Sequence, residues 1–273
     1  MRAIAIVITL AAIGLGALVP ASAAAAERVF LEEMTWTEVR AALRAGRTTV
    51  IVPTGGTEQN GPHMALGKHN AIARFTAGEI ARRLGNALVA PVLAYVPEGN
   101  AEPPTGHMRF PGTITLPEGA FAAVVEHAAR SFRAHGFRDV VLIGDSGDNQ
   151  RPLRSVAERL SHAWGPRGTR VHFVPEYYTT AHAPDGAFVR WLKAQGETAP
   201  DVAAHAGLAD TSLLLAVDPG LVRLDQLGAG GDPRASGAGG SPARARADYG
   251  RQGLELRVEA TVARIRALTA PSR

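Results

Sequence analysis

Asp139-Val140-Val141-Leu142-Ile143 runs directly into Gly144-Asp145-Ser146-Gly147-Asp148-Asn149. A short apolar, β-branched run that ends in a turn signal reads as a strand buried on both faces. A helical stripe follows over roughly 151–164, with Leu153, Val156, Leu160 and Ala163 inward. The same strand–turn–helix order occurs upstream. Thr48-Thr49-Val50-Ile51-Val52-Pro53 enters the turn Thr54-Gly55-Gly56, and Ile72, Phe75, Ile80 and Leu84 recur at helical spacing over 70–84, with Asn70 as N-cap. Ala87 to Val96 is a second strand candidate. A helix is expected over 117–135, with Phe121, Val124, Val125, Ala128 and Phe132 on one stripe and Gly136 as its stop. Val171 to Val174 is a further strand, 188–195 a short helix and 254–268 the closing helix. This alternation predicts a three-layer αβα fold around a mainly parallel central sheet.

The mature region 27–273 reads as one domain, in which 228–250, rich in Gly, Ala and Arg, is expected to be a flexible loop. The apolar run from Ala3 to Val19, followed by Pro20 and Ala21-Ser22-Ala23, reads as a signal peptide over 1–26. It is shorter than a membrane span and has no basic stop-transfer cluster after it, so the expectation is a periplasmic or secreted protein without a stable anchor.

Composition narrows the chemistry. The 46% hydrophobic and 20% charged balance is that of a globular protein. Lys and Arg exceed Asp and Glu by 29 to 25, and the excess is scattered rather than interleaved with aromatics, so no nucleic-acid partner is expected. No cysteine occurs, which excludes thiolate ligands and a Cys nucleophile; a metal must sit on His, Asp or Glu.

In parallel sheets, ligands bind beyond the carboxyl ends of the strands. Polar clusters fall there: Glu58, Gln59, Asn60, His63, Lys68 and His69 after the first strand, and Asp145, Ser146, Asp148 and Asn149 after Ile143. Asp148 or Asn149 serves equally as a helix cap. A third cluster, His205-Ala206-Gly207-Leu208-Ala209-Asp210-Thr211-Ser212, enters another apolar helix, where Asp210 or Thr211 is a candidate cap. Ser146 lacks the Gly-x-Ser-x-Gly spacing of a nucleophile elbow.

Together these clusters resemble the creatininase family. Pro53-Thr54-Gly55-Gly56-Thr57-Glu58-Gln59-Asn60-Gly61-Pro62-His63 is similar to its opening element. Phe110-Pro111-Gly112-Thr113, Gly144 to Asn149, His205 to Ser212 and Gly231-Asp232-Pro233 follow in the family's order. The resemblance implies hydrolysis of a small non-peptide amide, cyclic ones included, at a divalent-metal centre, and a homo-oligomer, commonly a hexamer. Family members hold two ions; here Asn60, His69 and Ser146 replace a His, a bridging Asp and a second His. The resemblance therefore points to one zinc or manganese ion per chain on Glu58, His69 and Asp148. Glu58 and Asp148 are then candidate bases and His205 a proton donor, with Asn60, His63, Ser146 and Asp210 around the substrate. A catalytically silent ligand-binding member of the same fold is the alternative.

Overall fold

The β-branched runs form the centre of the molecule. In the structure, a computed structural model, residues 28–165, 168–198, 202, 204–228 and 233–270 are described. The expected signal segment, and Gly231 and Asp232 of the last motif, lie outside them. In chain order the helices and strands are α1 (Trp36–Arg44), β1 (Thr49–Thr54), α2 (Lys68–Leu84), β2 (Ala87–Val89), α3 (Glu118–Ala134) and β3 (Asp139–Gly144). They continue with α4 (Gln150–Trp164), β4 (Arg170–Phe173), α5 (Glu176–His182), α6 (Ala187–Ala194), α7 (Leu208–Val217), the short α8 (Pro233–Ser236) and α9 (Ala247–Thr269).

The strands pair in the order β2-β1-β3-β4, all parallel, and Thr49 to Thr54 register with Asp139 to Gly144. Both central strands are buried along their whole length, which explains their unbroken apolar reading. Alternate residues divide between two cores. Val50, Val52, Val140 and Leu142 pack with Phe121, Val125, Leu153 and Val156 of α3 and α4. Ile51, Val141 and Ile143 pack with Ile80, Tyr177, Val258 and Val262 of α2, α5 and α9. A third cluster joins α6 and α7 to α9 through Phe188, Leu213 and Leu254. The result is the expected three-layer αβα arrangement. The chain leaves β1 toward β2 on one side and returns to β3 on the other, so the switch point opens between Thr54 and Gly144.

Several boundaries differ from the sequence reading, for local reasons. Strand pairing stops at Val89, before Pro91, which has no N–H to donate; Leu93 and Val96 make only isolated bridges. Helix α2 starts at Lys68, and Asn70 is not its cap. The Asn70 side chain instead accepts from Gly56 N and donates to Thr57 Oγ1, stapling the turn after β1. In α3 the inward position is Ala129, while Val124 is 44% exposed. Helix α9 begins at Ala247, and two helical turns, Pro233–Ser236 and Pro242–Arg244, occupy parts of the expected loop. Gly250 concealed that start. A Cβ there would meet Ser212 O at 1.8 Å, so this glycine lets α9 lie against α7.

Candidate metal centre

The turn after β1 is shaped by two glycines. A Cβ on Gly55 would meet Asn70 Oδ1 at 2.2 Å, and one on Gly56 would meet Glu98 Oε1 at 2.5 Å. This close approach delivers Glu58 to a cavity of about 210 Å³ at the switch point. Lys68, His69, Glu98, His107, Asp145, Ser146, Asp148, Tyr178, His182, His205 and Asp210 complete its wall.

Glu58 is the hub. Its Oε1 accepts from His69 Nε2 at 2.8 Å, and its Oε2 lies 3.2 Å from His107 Nε2. Lys68 Nζ and His205 Nδ1 approach Oε1 to 3.8 and 3.7 Å. Burial pushes the Glu58 carboxyl up, but His69, Lys68 and His205 outweigh it and hold the group well below the usual carboxylate range. Ligand atoms of Glu58, His107 and His205 lie within 4.8 Å of one another, a donor set suited to one divalent ion. Burial and Lys68 lower the His205 pKa to about 4, so its ring is neutral at pH 7, the form that ligates.

Gln59 touches the outer nitrogens of both rings. His205 Nε2 lies 3.0 Å from the Gln59 carbonyl oxygen and 3.2 Å from the Gln59 amide nitrogen; the tautomer that donates to the carbonyl leaves the Nδ1 lone pair facing Glu58. Gln59 Oε1 is fixed by Gly61 N–H at 3.0 Å, so its amide nitrogen donates to His107 Nδ1 at 2.9 Å. That tautomer places the His107 proton on Nε2, toward Glu58. Loading His107 as a third ligand therefore requires the proton to move to Nδ1 and the Gln59 amide to turn over.

The converging donors differ from the set Glu58, His69 and Asp148 read from the sequence. His69 lies between two carboxylates, with Nε2 on Glu58 and Nδ1 on Asp145 Oδ2 at 2.7 Å, so neither ring nitrogen is open. Burial and Lys68 oppose its charge, yet the two carboxylates hold its pKa above the ordinary value. Asp145 is braced in turn by the fully buried Arg257 at 2.5 Å and by Tyr177 OH at 3.1 Å. Asp148 is exposed at the rim of the cavity. Asn149 is not a side-chain cap; it donates to Thr54 Oγ1 and Gly55 O, tying β1 to the turn after β3.

Ser146, Asp210 and His205 line the cavity, whereas Asn60 and His63 do not. Asn60 Nδ2 donates to Glu58 O at 2.9 Å, and His63 Nε2 meets Thr211 Oγ1 at 3.0 Å. Both are loop staples. Asp210 Oδ2 accepts from Ala206 N and pairs with Lys68 at 2.9 Å. Burial pushes its carboxyl up, but Lys68, then His182, His205 and His69, outweigh it and hold the group well below the usual carboxylate range.

Glu98 and His107 escaped the sequence reading, while Gln59 and Lys68 stood in its first polar cluster without a role. His107 left a signal, standing three residues before Phe110-Pro111-Gly112-Thr113. Glu98 is 1% exposed, and its Oε1 has no partner among the described residues. Burial, then Glu58 and Asp148, push its carboxyl up to about 10, so it holds a proton at neutral pH.

The sequence profile of the Creatininase family, creatinine amidohydrolase, matches residues 32–265. The chain belongs to the creatininase family. Over 199 residues it is 29% identical to the creatinine amidohydrolase of Pseudomonas putida, covering 73% of this chain and 75% of that one. Over 183 residues it is 29% identical to the mycofactocin precursor peptide peptidase of Mycolicibacterium smegmatis, covering 65% and 61%. Among solved structures, manganese creatininase superposes with a TM-score of 0.74 at 28% identity, over 89% of this chain and 100% of that one. A mutant creatininase of Zn-Zn type gives 0.70 at 28% identity, over 89% and 99%. Against this creatininase background, the two-ion arrangement does not fit the present residues. Asn60 is turned away from the cavity, both nitrogens of His69 are taken, and the Lys68 ammonium already stands beside Glu58. The set Glu58, His107 and His205 fits one.

Proposed function

We propose that this creatininase-family chain is a hydrolase of small, non-peptide amide C–N bonds, dependent on one divalent ion. The observation that carries the reading is the convergence of Glu58, His107 and His205 donors in the cavity at the switch point. An ion held by these residues would supply Lewis acidity and a nucleophile from water at neutral pH. Zinc or manganese suits the imidazole and carboxylate donors, and both occur in creatininase structures.

The chain's own groups divide the proton work. In the hydrolysis the C–N bond breaks, hydroxyl is added to the carbonyl carbon and a proton is added to the nitrogen. Glu98 holds a proton beside Glu58 and can give it to the leaving nitrogen. His205, with a pKa near 4, is the poorer proton store and serves as a ligand. Asp148 at the rim is placed to accept the proton that water loses. The Arg257–Asp145–His69 chain positions Glu58. Ser146 and Asp210 border the space left for substrate. A cyclic amide is the form of substrate we favour, on the family relationship to creatinine amidohydrolase.

Export to the periplasm or beyond rests on the segment Met1 to Ala23, and a homo-oligomer on the family resemblance alone. A second reading, a ligand-binding protein without turnover, is favoured by the Gln59 amide that keeps the His107 proton facing Glu58. Metal analysis of the purified chain separates the two. The hydrolase reading expects about one zinc or manganese ion per chain, lost in His205→Ala, and ring opening of creatinine to creatine or cleavage of a related amide. A protein that takes up no ion from saturating zinc or manganese would overturn it.

A further inference from the structure

Two side chains beside Glu58 stand against a second ion, and they are engaged differently. His69 has both ring nitrogens on carboxylates, Nε2 on Glu58 and Nδ1 on Asp145. Lys68 is less fully bound. Its ammonium donates to Asp210 Oδ2 at 2.9 Å and stands 3.8 Å from Glu58 Oε1, within ion-pair range but beyond a hydrogen bond. An ammonium has three N–H groups, and Lys68 makes no second hydrogen bond among the described residues. It lines the cavity, although only 1% of its side chain is reached by solvent. Its Nζ and His205 Nδ1 lie 3.8 and 3.7 Å from the same Glu58 oxygen, so a group bound to Lys68 sits next to the converging donors.

Helix stability does not account for a cation at this position. Lys68 is the first residue of α2, whose first turn holds no acidic side chain, and the positive end of the helix dipole repels an ammonium. Among the cavity carboxyls, Asp145 is matched by Arg257 and His69, and Glu98 keeps its proton; Lys68 answers Glu58 and Asp210. We propose that the Lys68 ammonium takes the place of a second divalent ion, as the group that grips the carbonyl oxygen of the amide. As water adds to the carbonyl carbon, negative charge gathers on that oxygen; an N–H of Lys68 donates to it and the proton stays on nitrogen. A donor already fixed by Asp210 and Glu58 needs no rearrangement to do so. The role in turnover rests on the hydrolase reading; the contact with a carbonyl does not.

Two measurements on the full chain test this. Dialysis against saturating zinc, with the metal counted by mass spectrometry, should give one ion per chain and not two. Infrared difference spectra of chelator-treated protein with carbonyl-labelled 2-pyrrolidinone, a small lactam, should show the carbonyl band moved to lower frequency. Asp210→Asn alone keeps the ammonium and should keep that shift. Lys68→Met with Asp210→Asn removes the buried pair as a whole; it should fold and lose the shift, which a purely structural Lys68 would not produce. With any amide that the chain cleaves, the double variant should lose about 10²- to 10³-fold in kcat. Two ions per chain, no shift in the unaltered protein, a shift lost already in Asp210→Asn, or one that survives in the double variant would each overturn the proposal. If the shift depends on Lys68 but no amide is cleaved, the contact stands and the hydrolase reading falls.

Discussion

The Lys68 ammonium lies 2.9 Å from the Asp210 carboxylate, both withdrawn from solvent, and joins the first turn of α2 to the first turn of α7. Burial alone would discharge Lys68, but Asp210 and Glu58 outweigh it and raise its pKa. A fixed positive charge thus occupies the acidic cavity. Lys68→Met would leave Asp210 charged and unpaired, at a cost of about 3–5 kcal/mol, and Lys68→Met with Asp210→Asn should recover most of it. Urea unfolding of the three proteins checks this; a single-variant loss below about 1 kcal/mol would contradict the pairing.

Gln59→Glu should tighten zinc binding by roughly 10- to 100-fold. The carboxylate still accepts from Gly61 N–H but also accepts from His107 Nδ1–H, which turns the Nε2 lone pair toward Glu58. Competition titration with a chromophoric chelator measures the change. An unaltered affinity would show that Gln59 does not set the tautomer.

His69→Ala and His205→Ala should part company. Removing His69 strips Glu58 and Asp145 of their shared imidazolium, with an expected loss of about 3–5 kcal/mol, but leaves all three converging donors in place. One ion per chain should persist. His205→Ala should lose the ion with a smaller change in stability. The opposite pattern of metal content would restore His69 as a ligand.

Glu98 gives the metal-free protein a distinctive pH dependence. Its folded pKa is raised, so the stabilisation is fully present below about 4.5 and is lost as pH climbs toward about 10. Between pH 6.5 and 9 Glu98 holds about one proton more in the native chain than in the unfolded one. Stability relative to Glu98→Gln should fall by about 1.4 kcal/mol per pH unit. Chelator-treated protein unfolded in urea at several pH values would reveal it. Parallel curves for the two proteins would show that Glu98 is ionised.

The sheet and its flanking helices were legible because their signals are local. Val140 to Ile143 and Val50 to Val52 are continuous apolar runs, and the glycines at 85 and 136 end helices in the conformation that only they adopt freely. Glu58, Ser146 and Asp148 stood in turns at strand ends, and His205 and Asp210 at the entry to an apolar helix, so the neighbourhood of the site could be read as well. Which of these atoms face one another could not. His69 occupies a ligand position in the family's pattern, yet its ring is consumed by Asp145, 76 residues away in sequence. His107 sits in an irregular stretch with no periodicity to mark it, and Gln59 resembles an ordinary loop amide until both imidazoles are placed against it. Glu98 and Lys68 look like surface residues in the sequence, since charged side chains are seldom buried unless paired. Their partners are brought to them only by the crossing from β1 to β3 and the packing of α7 and α9. Strand, helix and turn follow from neighbouring residues; the charge pattern of the cavity follows from contacts between distant ones, and those exist only in the folded chain.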